Sequence, residues 1–239
     1  KDGAFYNTDP HRMLANNSAV YEAKPSNEEF MDEWMSLMKG KTGERGIFNR
    51  GGLLQQIPKR RIAEWKKEGV IENDHIVESV GANPCGEIIL QSKQFCNLTE
   101  VICRKDDTLE SLKKKTRIAA ILGTYQSSLD RFGYLSKEWK ENVQAERLLG
   151  VSLSGQWDSP EVRKADVMSA LREEAVAVNK KYAKRFGINP STAVTSVKPS
   201  GTVSQTVNSA SGMHPRHSEY YIRRIRISAT DSLFKMLKD

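Results

Sequence analysis

The chain has 239 residues, 38% hydrophobic and 28% charged, a balance that places it among folded chains and outside the disordered class. Its longest uninterrupted apolar run is Ile118 to Leu122, far short of the ~20 residues a membrane-spanning helix needs, and Lys1-Asp-Gly-Ala-Phe5 lacks a signal peptide's apolar core, so neither insertion nor secretion is expected. Thirty-seven basic against 30 acidic residues leave a formal charge of +7, a mild preference for anionic partners, with Lys113-Lys-Lys115, Lys180-Lys181 and Arg223-Arg224 reading first as solvated faces.

Residues 1–25 are rich in Asn, Asp, Ser and Pro and predict loop with one brief strand at Ser18-Ala-Val-Tyr21. Ser26 can cap a helix with Phe30, Trp34, Leu37 and Met38 at helical spacing, Glu28 and Glu29 in its first turn and Gly40 at its end. Thr42-Gly-Glu-Arg-Gly-Ile-Phe48 predicts a turn feeding a short strand, and Leu53 to Lys67 a helix. Asp107-Thr-Leu-Glu110 has the form of a capping pair, followed by a stripe of Leu109, Leu112, Ala119, Leu122, Tyr125 and Leu129. A second long helix is expected from Ser159 and Pro160 to Gly187, with Ala165, Met168, Leu171, Ala175, Val178 and Tyr182 on its apolar side. Strands are expected at Glu87–Leu90, Cys96–Cys103, Leu148–Leu153, Thr192–Val197 and Tyr221–Ile227. This alternation predicts one mixed α/β domain over residues 1–239, with much of its sheet parallel and buried.

Cys85, Cys96 and Cys103 are too few for a disulfide framework and predict a reducing, cytoplasmic setting, in which their function would be redox or catalytic. Asn83-Pro-Cys-Gly-Glu87 places an amide, a thiol and a carboxylate at alternate positions around two turn-forming residues, so that in an extended stretch all three converge on one small ligand. The alternative is a Cys85 buried as a small hydrophobe and a Glu87 exposed as a surface acid. Lys198-Pro-Ser-Gly-Thr-Val-Ser204 follows a predicted strand. Its glycine and hydroxyls suit a phosphate cradle at a helix start, although an ordinary capped turn has the same composition. It is not a P-loop, because GxxxxGK[ST] is missing. His11, His75, His214 and His217 have no metal-ligand spacing, so no metal is expected. Asp130, Glu146 and Asp158 read as solvated or capping acids.

Together these motifs resemble the catalytic core of ribonucleotide reductases. The resemblance is carried by Asn83-Pro-Cys-Gly-Glu-Ile88, Cys96-Asn-Leu98, Gly150-Val-Ser-Leu-Ser-Gly155 with Asp158, Lys198-Pro-Ser-Gly-Thr-Val-Ser204, Gly212-Met-His-Pro-Arg216 and Tyr221-Ile-Arg-Arg224. Asn16-Asn-Ser18 and Gly43-Glu-Arg-Gly-Ile-Phe-Asn49 add to it, so that it spans almost the whole chain. The short Cys85 to Cys96 separation and the Pro-Ser-Gly-Thr loop look like the adenosylcobalamin-dependent class II branch more than the di-iron class I branch. The resemblance implies part of a ten-stranded α/β barrel with a central finger loop carrying the radical cysteine. It implies a Cys85 thiyl radical, Glu87 as general base, Asn83 holding the ribose hydroxyls and Cys96 as one of two reducing thiols, with substrate phosphate on Pro199, Ser200, Gly201, Thr202, Val203 and Ser204. The product would be a 2′-deoxyribonucleotide for DNA synthesis. Adenosylcobalamin is the implied cofactor, the partners a ribonucleotide and a thioredoxin-like or dithiol reductant, and the assembly a monomer or homodimer.

Cys103 does not fit as the partner of Cys96, since seven residues of extended strand separate them by ~23 Å against the roughly 4.4–6.8 Å between α-carbons that a disulfide allows. The partner thiol, the allosteric site and much of the cofactor contact are expected outside this chain, whose first residue is not methionine and which reads as a piece of something longer. Two other readings stay open. One is a single-stranded nucleic-acid-binding module using Tyr220-Tyr-Ile-Arg-Arg-Ile-Arg226, against which stands a barrel strand with Tyr221 and Ile225 packed inward and no direct nucleic-acid contact. The other is a folded but inactive structural module.

Overall fold

The computed structural model describes residues 17–40, 45–73, 75–77, 79–222, 224 and 226–238. In chain order its elements are β1 (Asn17–Tyr21), α1 (Asn27–Gly40), β2 (Arg45–Asn49), α2 (Leu53–Gln56), α3 (Lys59–Lys67), β3 (Ile71–Glu72), β4 (His75–Ile76), β5 (Gly81–Ala82), β6 (Ile89–Leu90), β7 (Asn97–Ile102), α4 (Leu109–Ser127), α5 (Lys137–Glu146), β8 (Leu149–Ser154), α6 (Ala165–Phe186), α7 (Thr202–Thr206) and α8 (Ser232–Lys238). Strands β1 and β2 pair in parallel, as do β7 and β8, while β3·β4 and β5·β6 are short antiparallel pairs. The architecture is mixed α/β.

The layer that matters is β7, β8 and the segment 192–197. Asn97 to Ile102 pairs in register with Leu149 to Ser154. On the far side of β8 the amides of Leu149 and Val151 donate to the carbonyls of Ala193 and Val194, and the Ser196 amide donates to Val151. Strand alternation then assigns two faces. Val101, Leu149 and Val151 enter one core with Leu112, Ala119, Ala120, Leu171, Ala175 and Val178 from α4 and α6. Burying a side chain such as Leu112 or Leu149 contributes about 1.5–3 kcal/mol. The other face carries Leu98, Gly150, Ser152 and Ser154, and the two serine hydroxyls accept from the Lys198 and Gly212 amides of the loop that bears the candidate site. A second core, with Trp65 at its centre, joins α2 and α3 to β3 and Val80.

Helix α1 starts as its sequence requires: the Ser26 amide donates to Glu29 at 2.9 Å and the Glu29 amide to Ser26 Oγ at 3.2 Å, a reciprocal cap. Its apolar stripe, however, has no buried member. Helix α4 is capped by Thr108 with Ser111 as the reciprocal partner, one residue later than the expected pair of Asp107 and Glu110. Its expected stripe is half right. Leu112 and Ala119 are buried, but Leu122, Tyr125 and Leu129 are exposed, and small residues take their place: Thr116, Ala120, Gly123 and Thr124. The helix lies so close to the sheet that a Cβ at Gly123 would come within 3.1 Å of Leu149.

The expected Leu53–Lys67 helix is split at Pro58, which breaks the backbone ladder between α2 and α3. Helix α6 begins five residues after Pro160, because residues 160–164 form turns; Gly187 ends it in the left-handed conformation, as expected. Tyr221–Ile227 is not a strand at its described residues, where Ile222 is 93% exposed and the Tyr221 hydroxyl donates to Gln205 at 2.7 Å. Ile225 and Arg223 lie outside the described residues, as do residues 1–16 with His11 and Asn16.

Candidate active site

Strands β5 and β6 are two residues each, and the chain between them closes into a tight hairpin. The Asn83 amide donates to the Ile88 carbonyl at 3.0 Å, the Ile88 amide to Asn83 Oδ1 at 3.0 Å, and the Gly86 amide to the Asn83 carbonyl at 2.9 Å. Gly86 sits at φ +78°, a value other residues rarely adopt. This corrects the expectation of an extended stretch: the segment is a tight turn in which Asn83 spends its side-chain oxygen on the Ile88 amide, while its three side chains still gather, Asn83 bearing on Glu87, and Cys85 and Glu87 both facing the Lys198 ammonium.

The surroundings of Cys85 and Glu87 are the reverse of a buried thiol and a surface acid. Cys85 is exposed at the hairpin tip, and the Glu87 side chain is only 4% exposed. The Lys198 ammonium lies 2.8 Å from Glu87 Oε1 and 3.7 Å from Cys85 Sγ. Burial pushes the Glu87 carboxyl up, but the Lys198 ammonium and the Asn83 amide outweigh it and hold it below its ordinary value. Lys198 is raised in turn, chiefly by Glu87. Lys198 approaches a single oxygen, Oε1, and the Asn83 amide also bears on the carboxylate, but no forked donor grips both oxygens, and both are shut off from solvent. Glu87 is therefore an ionised, dry carboxylate with acceptor capacity to spare.

Cys96 precedes β7. Burial pushes its thiol up to about 12, with the Arg61, Glu87 and Lys198 charges acting on it more weakly, so it carries its proton at neutral pH. An added Cβ at Gly150 would lie 2.5 Å from Leu98 Cδ2, 2.9 Å from Ser196 Oγ and 3.3 Å from Cys96 Sγ; only a glycine fits in the close packing beside the thiol. Cys103, at the far end of β7, is fully buried and also pushed up to about 12 by burial.

Lys198 reaches the hairpin because its backbone is fixed on both sides. Its amide donates to Ser152 Oγ at 2.9 Å, and its carbonyl abuts Gly212, where a Cβ would sit 2.7 Å away and φ is +55°. The loop beyond it departs from the simple cradle. Ser204 turns inward and donates to the Gly201 carbonyl at 2.7 Å, and α7 is a five-residue helix with little dipole to offer. The groups left for a ligand are the Thr202 hydroxyl, the buried and unpartnered Ser200 Oγ, and the amides of Gly201, Thr202 and Val203, which meet no backbone acceptor among the described residues. Pro199, Gly201 and Val203 are exposed on this loop. Asp158 is not a solvated acid: Arg216 grips it through two nitrogens at 3.0 Å, and the Ala210 amide donates to it at 2.7 Å.

Glu146, expected to be solvated, is the most enclosed carboxylate of the described chain. Arg61, Trp65, Gln94 and Thr192 all donate to it, at 2.7–3.1 Å, joining the two cores. Asp130 pairs with Arg147 at 3.0 Å. No group of three or more metal-ligating side chains occurs among the described residues, and no described helix is long and apolar enough to cross a membrane.

No family model matches the chain. Its sequence aligns with the adenosylcobalamin-dependent ribonucleoside-triphosphate reductase of Lactobacillus helveticus at 30% identity over 258 residues, which is 95% of this chain and 33% of that protein. The enzyme of the same name from Lactobacillus acidophilus gives 29% over 259 residues, and that from Lactobacillus gasseri 30% over 263, each covering 96% of this chain and 33% of the relative. The chain is homologous to part of the class II ribonucleotide reductases. A crystal structure of a B12-dependent, class II ribonucleotide reductase shares the fold, with a TM-score of 0.62 and 24% identity over 89% of this chain and 33% of that one. The chain thus spans about a third of the length of the reductases it matches.

Proposed function

We propose that this chain forms part of the catalytic barrel of an adenosylcobalamin-dependent reductase that converts ribonucleoside triphosphates to 2′-deoxyribonucleotides in the cytoplasm, with its hairpin as the finger loop. The observation that carries the reading is the pairing of an exposed thiol, Cys85, with a dry, ionised Glu87 beside it, both within reach of the Lys198 ammonium. The exposed sulfur fits a radical-generating cofactor, which must approach it from outside the fold. Adenosylcobalamin, when bound, supplies the radical through homolysis of its cobalt–carbon bond.

In this chemistry Cys85 takes the 3′ hydrogen of the ribose, and Glu87 accepts the proton of the 3′ hydroxyl as water leaves C2′. The Asn83 side chain, braced by the Ile88 amide, holds the ribose hydroxyls in register. Cys96, a protonated thiol, contributes one of the two reducing thiols and ends as half of a disulfide, which a thioredoxin-like or dithiol reductant resets. Pro199, Ser200, Gly201, Thr202, Val203 and Ser204 hold the substrate phosphate, mainly through backbone amides and the Ser200 and Thr202 hydroxyls. The test is turnover of a ribonucleoside triphosphate by the intact protein with adenosylcobalamin and a dithiol. Multiple turnover is expected for the native sequence and at most one for Cys96→Ser; undiminished multiple turnover by that variant would sink the assignment of Cys96.

A further inference from the structure

We infer that Lys198 is a positioning residue of this site: its ammonium, set between the Cys85 sulfur and the Glu87 carboxylate, balances the buried charge of Glu87 and aims it, and does not serve as a phosphate contact. The inference rests on the functional reading above. Sequence alone places Lys198 with the phosphate loop, since it is the only charged residue between Thr192 and Gly212. Geometry places its charge elsewhere, 2.8 Å from Glu87 Oε1 and 3.7 Å from Cys85 Sγ.

Three features argue for design by position rather than a chance surface pairing. The Lys198 backbone is pinned between Ser152 Oγ and Gly212, so the side chain starts from a fixed point. The side chain is 28% exposed and that of Glu87 4%, so the pair sits largely out of water, where an unbalanced carboxylate would take up a proton instead of staying ionised. Finally, the ammonium meets one oxygen, Oε1, so it supplies charge without gripping both oxygens and leaves acceptor capacity on Glu87 for a substrate hydroxyl. An arginine fork would occupy both oxygens, as Arg61 does at Glu146.

The other groups that bear on Glu87 are Asn83 and its own backbone amide; Cys85 acts on Lys198, Glu87 acts on Cys96 ahead of β7, and Arg61 from α3 also acts on Cys96. Cys96 is neutral at physiological pH, which leaves Lys198 as the cation that sets the state of Glu87. Removing it therefore raises the pH at which Glu87 ionises, and moves the acidic limb of the rate profile upward.

The experiment compares the native protein with Lys198→Met and Lys198→Arg, measuring nucleoside triphosphate Kd, kcat against pH, and the titration of the Glu87 carboxyl carbon by 13C NMR, assigned with Glu87→Gln. For Lys198→Met the expected result is a Kd within about threefold of native, a kcat at neutral pH lower by about tenfold or more, and a Glu87 midpoint about one unit higher. Lys198→Arg should restore the midpoint but not the full rate. A Kd weakened tenfold or more with an unchanged pH profile would make Lys198 a phosphate contact and overturn the inference, as would an unmoved Glu87 midpoint. If Lys198→Met does not fold, Lys198→Gln provides the same titration. The NMR readout needs no turnover, so absence of reduction by the native protein would count against the proposed reaction and leave the positioning role to be decided by the titration.

Discussion

Glu87 and Glu146 are both buried carboxylates beside a basic side chain, and they differ in how many donors meet them. Glu146 accepts from five side chains, Arg61, Trp65, Gln91, Gln94 and Thr192, three of them charged or amide groups. Burial pushes its carboxyl up, but Arg61, Thr192 and Trp65 together hold it below its ordinary value. Glu87 has one cation, at Oε1, and beyond it only the Asn83 amide and its own backbone amide. A saturated carboxylate ties elements together, whereas one that is charge-balanced but unsaturated is ready to receive a proton or a substrate hydroxyl.

Substitutions should separate the two regions by what they damage. The largest effect is expected for Cys85→Ser, which should abolish turnover in the intact protein without altering its unfolding midpoint, because an exposed side chain holds no core together and a hydroxyl's O–H bond is too strong to act as a hydrogen-atom carrier. Measurable turnover by this variant would break the assignment of the hairpin as the reactive region. Glu87→Gln should follow, slowing kcat by about 10²–10⁴ with little change in KM. A defect confined to KM would instead make Glu87 a binding group.

Glu146→Gln is expected to do the opposite, costing about 3–5 kcal/mol in urea unfolding because Arg61 is left buried without its charge partner; a loss below about 1 kcal/mol would mean that the network contributes little. The pH dependence sharpens this. A carboxyl depressed in the folded state stabilises above its unfolded pKa and loses that contribution as pH falls through the folded value. The stability gap between native protein and Glu146→Gln should thus be constant near neutrality and shrink as the medium is acidified below about 4.5, the ordinary value.

The smallest effect concerns the loop. An added Cβ at Gly201 meets nothing within 4 Å, so Gly201→Val should fold normally. Valine there should nevertheless weaken nucleotide binding, read by titration calorimetry, more than Lys198→Ala does, because it covers amides that a phosphate would need. The reverse order would make the loop's grip electrostatic and place Lys198 in it.

Much of the local structure was legible in the chain. The Ser26 cap, the Gly187 stop, and the alternation in Leu149-Gly-Val-Ser-Leu-Ser154 follow from short-range sterics and hydrogen bonding, which each segment carries within itself. The order of motifs also identified the family, because Asn83-Pro-Cys-Gly-Glu87 and Lys198-Pro-Ser-Gly-Thr202 are distinctive in composition. What the sequence could not decide was where long side chains would meet. Whether Glu87 is wet or dry, whether Lys198 faces a phosphate or a carboxylate 111 positions earlier in the chain, and whether Glu146 is solvated or the knot between two cores all depend on contacts between distant segments. So does the outward turn of Leu122 and Tyr125 on α4, where close approach to the sheet selected small residues over the apolar stripe. Local preference works over one or two turns of chain; burial, and the charge states that follow from it, is settled only when the layers pack.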